Sequence, residues 1–276
     1  MEVIKHQGKN FLIEALMDKI NRRIWVADYS VRDHRALRAY LVEMALRKGL
    51  EKIVFPVRVT DEEKIKGPFL IREGSVRGYF NGEDASFLAA YPSPDRGCSG
   101  TLEGERDLLK KIFSDPGSVQ KSIGDLTVRK AGREDLQSMA DLFSRVFITY
   151  PTPVFDAHYL ESALAKGDLY LVAQSGGLLV GVAAAEINRE QGRAELTNCA
   201  TDPGFRGRGV NTFLLREIEK ICLSRGIKCL YSLARASSYG MNLVFHRLGY
   251  SFGGTLINNC HIGGRFENMN IWDRPN

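Results

Sequence analysis

The sequence predicts an α/β fold with a mixed (α+β) sheet, divided into two domains. Strand-like and helix-like segments alternate through most of the 276 residues, a length that exceeds one typical domain. Residues 114–124 are rich in Ser, Gly and Pro and separate two such stretches. We therefore predict a smaller N-terminal accessory α/β domain over residues 1–122 and a second domain over residues 123–276.

Composition and charge narrow the function classes. Hydrophobic residues make up 44% and charged residues 26% of the chain, as in ordinary soluble proteins. The sequence contains no apolar run of about 18 residues and no long apolar core near its start, which predicts neither a membrane span nor a signal peptide. The net charge of +5 is spread over both halves, so nucleic-acid binding is not expected. The expected location is the cytoplasm.

The five cysteines do not predict a metal site or a disulfide framework. Their number is odd and none of them forms a CxxC pair. We expect each to be a small, partly buried apolar side chain.

The N-terminal half predicts structure but no catalytic constellation. A turn is expected at residues 81–84, because Asn81 and Gly82 both tolerate positive φ. The predicted helices cover residues 11–20 and 32–48, and the predicted strands cover residues 23–28, 52–57, 69–73, 75–80 and 85–90.

The C-terminal half predicts a continuous alternation of elements. Proline at 151 and 153 ends the first helix of this half, because proline lacks a backbone donor. The predicted helices cover residues 133–147, 156–165, 212–225 and 237–247, and the predicted strands cover residues 126–129, 169–174, 179–188, 193–201 and 228–233.

A glycine loop joins the strand at 193–201 to the helix at 212–225. Gly207 and Gly209 have no Cβ, so the backbone there approaches a ligand closely. The first turn of the helix leaves N–H groups without partners and its dipole is positive, which favours a diphosphate. Arg206 and Arg208 add positive charge. The loop matches neither GxxxxGK[ST] nor GxGxxG, which excludes the two common nucleotide motifs.

This loop resembles the acetyl-CoA loop of GNAT acetyltransferases, written Q/R-x-x-G-x-G/A. The sequence departs at the last position, where Asn211 replaces Gly or Ala. The segment from Asn242 to Tyr250 is similar to the second cofactor motif of the family, and residues 126–136 are similar to its first strand and helix. The resemblance covers residues 125–273 and implies a GNAT acyl-CoA N-acyltransferase fold with acetyl-CoA as cosubstrate.

A more specific resemblance spans nearly the whole chain. Residues 147–153, 194–201, 231–236 and 258–272 are similar to β-lysine N6-acetyltransferases, and residues 78–85 are similar to their N-terminal domain. This resemblance implies transfer of acetyl to the distal amine of β-lysine, giving N6-acetyl-β-lysine, a compatible solute.

The resemblance also implies site residues. Glu195 is our prediction for the general base, because an alkylammonium must lose a proton before it attacks the thioester. The residues predicted to bind the cofactor are Asn198, Cys199, Ala200, Thr201, Arg206, Gly207, Arg208, Gly209, Val210, Asn211, Asn242 and Phe245.

Phe245 stands where many family members carry a tyrosine acid, so no general acid is assigned, and thiolate departs unaided because a thiol is already fairly acidic. Direct transfer is expected rather than an acyl-enzyme on Cys199. Acceptor contacts are predicted for Tyr150, Arg235, Asn259 and Glu267.

Two alternatives stay open at this stage. The first is a GNAT enzyme that acts on another small amine. The second is a non-catalytic acetyl-CoA-binding regulatory module. Homodimerisation is also left open.

Overall fold

The computed structural model describes residues 2–117 and 125–275 and is built around one mixed sheet. The predicted α/β class is confirmed, since helices pack on a 13-stranded sheet with both parallel and antiparallel neighbours. In the described part of the chain, no helix is long and apolar enough to cross a bilayer.

The N-terminal part of the sheet comes from residues 2–117. Its strands and helices are β1 (Glu2–Gln7), β2 (Phe11–Asp18), β3 (Arg23–Val31), α1 (His34–Arg47), β4 (Lys52–Arg58), α2 (Glu62–Lys66), β5 (Ile71–Phe80), β6 (Glu83–Ala90) and α3 (Leu102–Phe113).

Residues 125–275 contribute the rest. Their elements are β7 (Thr127–Lys130), α4 (Leu136–Val146), α5 (Ala157–Lys166), β8 (Leu169–Ser175), β9 (Leu178–Asn188), β10 (Arg193–Thr201), α6 (Val210–Ser224), β11 (Cys229–Arg235), α7 (Tyr239–Arg247), β12 (Ser251–Ile262) and β13 (Arg265–Pro275).

The strands follow a single spatial order across the sheet. That order is β1-β2-β3-β4-β6-β5-β12-β13-β11-β10-β9-β8-β7. The N-terminal and C-terminal strands therefore form two contiguous blocks that meet where β5 pairs with β12.

The predicted helix at residues 11–20 is wrong. This segment is strand β2, in which Phe11, Ile13, Ala15 and Met17 are buried on one face, a period of two rather than 3.6. Pairing with both β1 and β3 satisfies its backbone groups. The two strands predicted at residues 69–73 and 75–80 are one strand, β5. The turn at Asn81 and Gly82 is confirmed, with φ of 52° and 105°.

Three elements near the site were not predicted: helix α3 and the β12–β13 hairpin. Leu109 and Ile112 of α3 are buried in the same core as Trp272 of β13. Helix α3 thus packs on the C-terminal part of the sheet although it precedes residue 114. Residues 118–124, which contain the predicted domain boundary, lie outside the described residues, and the division at 122 stays a prediction.

The separation of β10 and β11 creates the cleft that the site occupies. Their parallel pairing covers three residue pairs and ends where Glu195 faces Tyr231. Beyond that point, residues of both strands line a cavity.

Candidate active site

A narrow slot lies between the separated ends of β10 and β11. Its volume is about 80 Å³, and Met241 and Phe245 of α7 close one side. It is lined by Phe147, Tyr150, Leu196, Thr197, Asn198, Cys199, Ser232, Leu233, Ala234, Arg235, Ser238, Met241, Phe245, Ile262 and Met269. A slot of this width between two strands accommodates a thin, extended chain.

A β-bulge shapes the β10 side of the slot. The register of β10 against β9 shifts between Thr197 and Ala200, and Asn198 has a φ of 51°. Asparagine tolerates this left-handed conformation better than most residues, and its side-chain amide donates to the Tyr170 hydroxyl at 3.0 Å. The bulge takes the amides of Asn198 and Cys199 out of the regular ladder and leaves them beside the slot. They are suitable donors for the carbonyls of an acyl-pantetheine chain.

The predicted glycine loop has the backbone geometry that a diphosphate site needs. Gly207 and Gly209 have φ of 74° and 83°, a region where a Cβ is strained. Gly209 precedes α6 and has no side chain to cap the helix, so the first amides of α6 remain available to an anion. Arg206 and Arg208 are exposed at the mouth of the loop, with the Arg208 guanidinium 4.9 Å from the Phe205 ring.

The departure at Asn211 is accommodated by local contacts. Its side chain accepts a hydrogen bond from the Thr201 hydroxyl at 3.0 Å and donates to the Met241 sulfur at 3.3 Å. The side chain is therefore held beside the helix.

The start of α6 packs closely on the sheet. Val210 is buried against Gly181 of β9, where a Cβ on Gly181 would come within 2.4 Å of a Val210 methyl. This glycine lets α6 approach the sheet.

Asn242 is fully engaged by protein groups. Its side-chain amide donates to the carbonyls of Arg235 and Ser238 at 2.8 and 2.7 Å. Its oxygen accepts from Asn270 and Trp272 at 2.9 and 2.8 Å. Asn242 therefore fixes α7 against β11 and β13, and any contact of its side chain with the cofactor stays a prediction.

A second, larger cavity opens from the slot. Its volume is about 420 Å³, and both parts of the chain form its walls. Asp18, Arg23 and Trp25 come from the N-terminal strands, whereas Glu186 and Glu195 come from β9 and β10. The residues that line both the slot and the larger cavity are Tyr150, Thr197, Leu233, Ile262 and Met269. A group in the slot is thus in contact with the contents of the larger cavity.

Two carboxylates face each other across the β9–β10 pairing. Glu186 and Glu195 are register partners, and the Tyr231 hydroxyl donates to Glu195 at 3.0 Å. Burial, followed by the negative charge of Glu195, raises the pKa of Glu186 to about 8. Burial also raises the pKa of Glu195, but the Tyr231 hydrogen bond and the charges of Arg23 and Arg193 oppose that rise. Glu186 therefore keeps its proton near neutral pH, and Glu195 is the member of the pair that ionises first as pH rises.

The predicted acceptor residues have different positions. Tyr150 lines both cavities, whereas Arg235 lines only the cofactor slot. Asn259 and Glu267 line neither of these two cavities. Asn259 is buried in β12, and Glu267 accepts hydrogen bonds from Arg265 and Ser237 at 2.7 and 2.8 Å. The acceptor roles predicted for Arg235, Asn259 and Glu267 are thus not supported by their positions.

Cys199 lacks the features of a nucleophile. Burial raises the pKa of its thiol to about 12, which keeps it protonated. The thiol donates to the Thr197 carbonyl at 3.5 Å. Ala200 and Thr201 complete the strand, with Ala200 buried under α4.

Several cavity residues were missed by sequence reasoning. Glu186 ends an apolar run from Val180 to Ala185, and a charge at the end of a buried strand was an available signal. Arg193 is the first residue of β10 and is buried. Its burial could not be predicted, because it results from packing against the distant Tyr79. Arg23 gave no signal, because its place depends on the meeting of two distant segments.

Comparisons with known proteins identify the family of this chain. The sequence profile of the Acetyltransferase (GNAT) family matches residues 136–250. "N-acetyltransferase YodP" of Bacillus subtilis is 36% identical over 99% of this chain and 98% of its own length. A "Beta-lysine N(6)-acetyltransferase" of Methanosarcina mazei is 34% identical over 82% of this chain and 93% of its own length.

Among solved structures, the ribosomal-protein-alanine N-acetyltransferase of Brucella melitensis superposes with a TM-score of 0.48. The match is 20% identical and covers 54% of this chain and 99% of that one. The family match and the near full-length similarity carry the assignment. This chain belongs to the GNAT acetyltransferase family and is an enzyme that uses acetyl-CoA as its cosubstrate.

Proposed function

We propose that this enzyme acetylates the distal amine of β-lysine (3,6-diaminohexanoate) to give N6-acetyl-β-lysine. The observation that carries the proposal is the cavity beside the slot, whose lining combines four carboxyl groups with two guanidinium groups: Asp18, Asp168, Glu186, Glu195, Arg23 and Arg193. β-Lysine carries two ammonium groups and one carboxylate, so its charges complement this lining. Similarity to β-lysine N6-acetyltransferases supports the same acceptor.

Glu195 is proposed as the general base. A distal ammonium has a pKa near 10.4, so it is almost fully protonated at neutral pH and must lose a proton before attack. Glu195 is the member of the carboxyl pair that ionises first, and the Tyr231 hydroxyl holds its side chain at 3.0 Å. It takes the proton from the amine, whose lone pair then attacks the acyl carbon. The carbon–sulfur bond of the thioester breaks as the amide forms, the nitrogen releases its second surplus proton to solvent, and the sulfur leaves as the CoA thiolate.

The other groups orient the reactants and stabilise charge. The amides of Asn198 and Cys199 at the β10 bulge would donate to the thioester oxygen as negative charge develops there. Asp168 provides negative charge for the second ammonium group, and the protonated Glu186 carboxyl offers it an acceptor oxygen. Phe245 lines the slot and has no proton to give, so the thiolate leaves without a dedicated acid. This is feasible because a free thiol has a pKa of about 8.5.

Release of CoA thiol tests the proposal. Purified enzyme is assayed with acetyl-CoA and β-lysine, α-lysine, 1,5-diaminopentane or spermidine, and NMR locates the acetyl group in the product. We expect the highest kcat/KM with β-lysine and acetylation at N6. A higher kcat/KM with another amine, or acetylation at the 3-amino group, would contradict the proposed acceptor or site. Loss of salt tolerance on gene deletion, restored by added N6-acetyl-β-lysine, would support an osmolyte role.

A further inference from the structure

The two parts of the sheet have the same topology. In the C-terminal part, β8, β9 and β10 are antiparallel neighbours, β11 is parallel to β10, and β13 lies between β11 and β12. In the N-terminal part, β1, β2 and β3 are antiparallel neighbours, β4 is parallel to β3, and β6 lies between β4 and β5. The last-but-one strands of the two parts, β5 and β12, pair antiparallel, as a pseudo-twofold relation requires.

The correspondence extends to individual residues. The parallel pairing of β3 with β4 starts at Arg23 and covers three pairs, just as that of β10 with β11 starts at Arg193 and covers three. Strand β3 is also irregular against β2, as β10 is against β9. Arg23 and Arg193 thus occupy equivalent positions, and both line the larger cavity.

The N-terminal part lacks the cofactor cradle. In place of the glycine loop, two residues join β3 to α1, and the Asp33 carboxylate accepts from the Ala36 amide at 2.9 Å. A carboxylate at this helix end occupies a donor and repels a diphosphate. Since this part lacks a diphosphate site, its residues in the larger cavity can contact the acceptor instead of a cofactor.

Arg193 is a buried cation that needs an anion. The residue is 6% exposed, and no carboxylate of the described residues lies within ion-pair distance. The one hydrogen bond of its side chain to a described group is to the Tyr79 carbonyl at 3.3 Å, and its guanidinium carbon lies 3.8 Å from the centre of the Tyr79 ring. Burying a cation without an ionic partner is unfavourable, so an anion in the cavity would be strongly favoured.

Arg23 has a fixed position and spare donors. Its side chain is 12% exposed; Nε donates to Asp18 at 3.2 Å and one terminal nitrogen donates to the Asn259 carbonyl at 3.0 Å. Within residues 2–117 and 125–275, the other terminal nitrogen has no hydrogen-bond partner. A guanidinium held in this way is preorganised for a carboxylate.

We propose that Arg23 and Arg193 together bind the carboxylate of the acceptor, and that the N-terminal part is a GNAT-topology unit that selects the acceptor. The acceptor class is a small amine that carries a carboxylate. This inference deepens the proposed function and rests on it for the choice of β-lysine as the acceptor.

The test compares β-lysine with its carboxamide, which removes the negative charge and keeps the shape. Wild-type enzyme should prefer the acid by about 10- to 100-fold in kcat/KM, the range expected for hydrogen bonds to a charged group. Arg23→Met should lower kcat/KM for the acid by about tenfold or more through KM, and should change the value for the amide by less than about threefold. Arg23→Lys should recover part of the preference. KM for acetyl-CoA should not change.

Arg22→Met is the matched control, because Arg22 is exposed, pairs with Glu51 at 2.9 Å and does not line the cavity. It should leave both acceptors unaffected. Equal wild-type use of acid and amide would overturn the proposal. An equal loss on both acceptors in Arg23→Met would do the same, since it would indicate a structural role through Asp18.

The acceptor panel separates the two proposals. If the preferred amine is another amino acid, β-lysine specificity fails, and the same acid–amide comparison is made with that amino acid. If the preferred amine has no carboxylate while CoA is still released, the carboxylate site is refuted and the acetyltransferase assignment stands.

Discussion

Replacing Glu186 with glutamine should make the protein more stable at alkaline pH. Burial and the charge of Glu195 raise the pKa of Glu186 from 4.5 to about 8. Between those two values the folded protein keeps a proton that the unfolded chain releases. A carboxyl with a raised folded pKa therefore lowers stability progressively as pH rises through this window. Glutamine has the shape of the protonated acid and does not titrate.

The magnitude follows from the rise in pKa. At about 1.4 kcal/mol per pKa unit, the full rise corresponds to roughly 5 kcal/mol above pH 8. Because the side chain lines an open cavity, water screens part of this, and about 1–3 kcal/mol is the expected gain. The gain should fall towards zero below about pH 4.5, where wild-type Glu186 is mostly protonated in both states.

Calorimetry of wild type and Glu186→Gln at about pH 5 and about pH 8.5 measures the effect. For a chain of this size each 1 kcal/mol moves Tm by about 2–4 °C, so a difference of several degrees is expected at the higher pH only. A pH-independent difference in Tm would refute the raised pKa of Glu186. A lower Tm for the variant at pH 8.5 would refute it too.

Three further outcomes are expected. Glu195→Gln should lower kcat about 100-fold or more, with partial recovery at higher pH as more amine becomes neutral, while calorimetry shows acetyl-CoA affinity within about twofold of wild type. Titration calorimetry should give one acetyl-CoA per chain, since Asp33 caps α1; two sites would contradict the proposed loss of the second cradle. Gly253→Ala should lower stability by about 1–3 kcal/mol in thermal unfolding, because its Cβ would lie 2.2 Å from the Ser75 carbonyl, whereas Gly240→Ala meets no atom within 4 Å and should not.

The cofactor side of the site was predictable because its determinants are local. Strand β10 was predicted with its observed bounds, and the glycine loop follows it directly. Gly207 and Gly209 have positive φ, a conformation that glycine favours, so a short stretch of sequence is enough to predict it. Helix α6 begins two residues earlier than predicted, because Gly209 rather than Asn211 precedes its first turn.

The acceptor side was not predictable because it depends on contacts between distant segments. Arg23 approaches Glu195 only because β5 pairs with β12. The sequence has no evident internal repeat that would indicate the shared topology of the two parts. The polar residues chosen from this region, Asn259 and Glu267, lie in the two strands of a hairpin that was not predicted. Their surroundings are set by that hairpin.

The junction between the two parts explains how the N-terminal strands keep a fixed place in a site formed mainly by the C-terminal part. Lys52, the register partner of Arg23, forms a fully buried ion pair with Glu73 at 2.7 Å. Lys52 also donates to the Ile257 carbonyl at 2.6 Å, and Glu73 accepts from the Ile257 amide at 2.9 Å. Both charged side chains thus bind the backbone of Ile257 in β12, and this contact holds β4 and β5 against the C-terminal part of the sheet. Breaking a buried pair by removing one partner typically costs about 3–5 kcal/mol. The strand next to β3 is therefore rigidly held, and Arg23 needs no loop closure to reach the acceptor cavity.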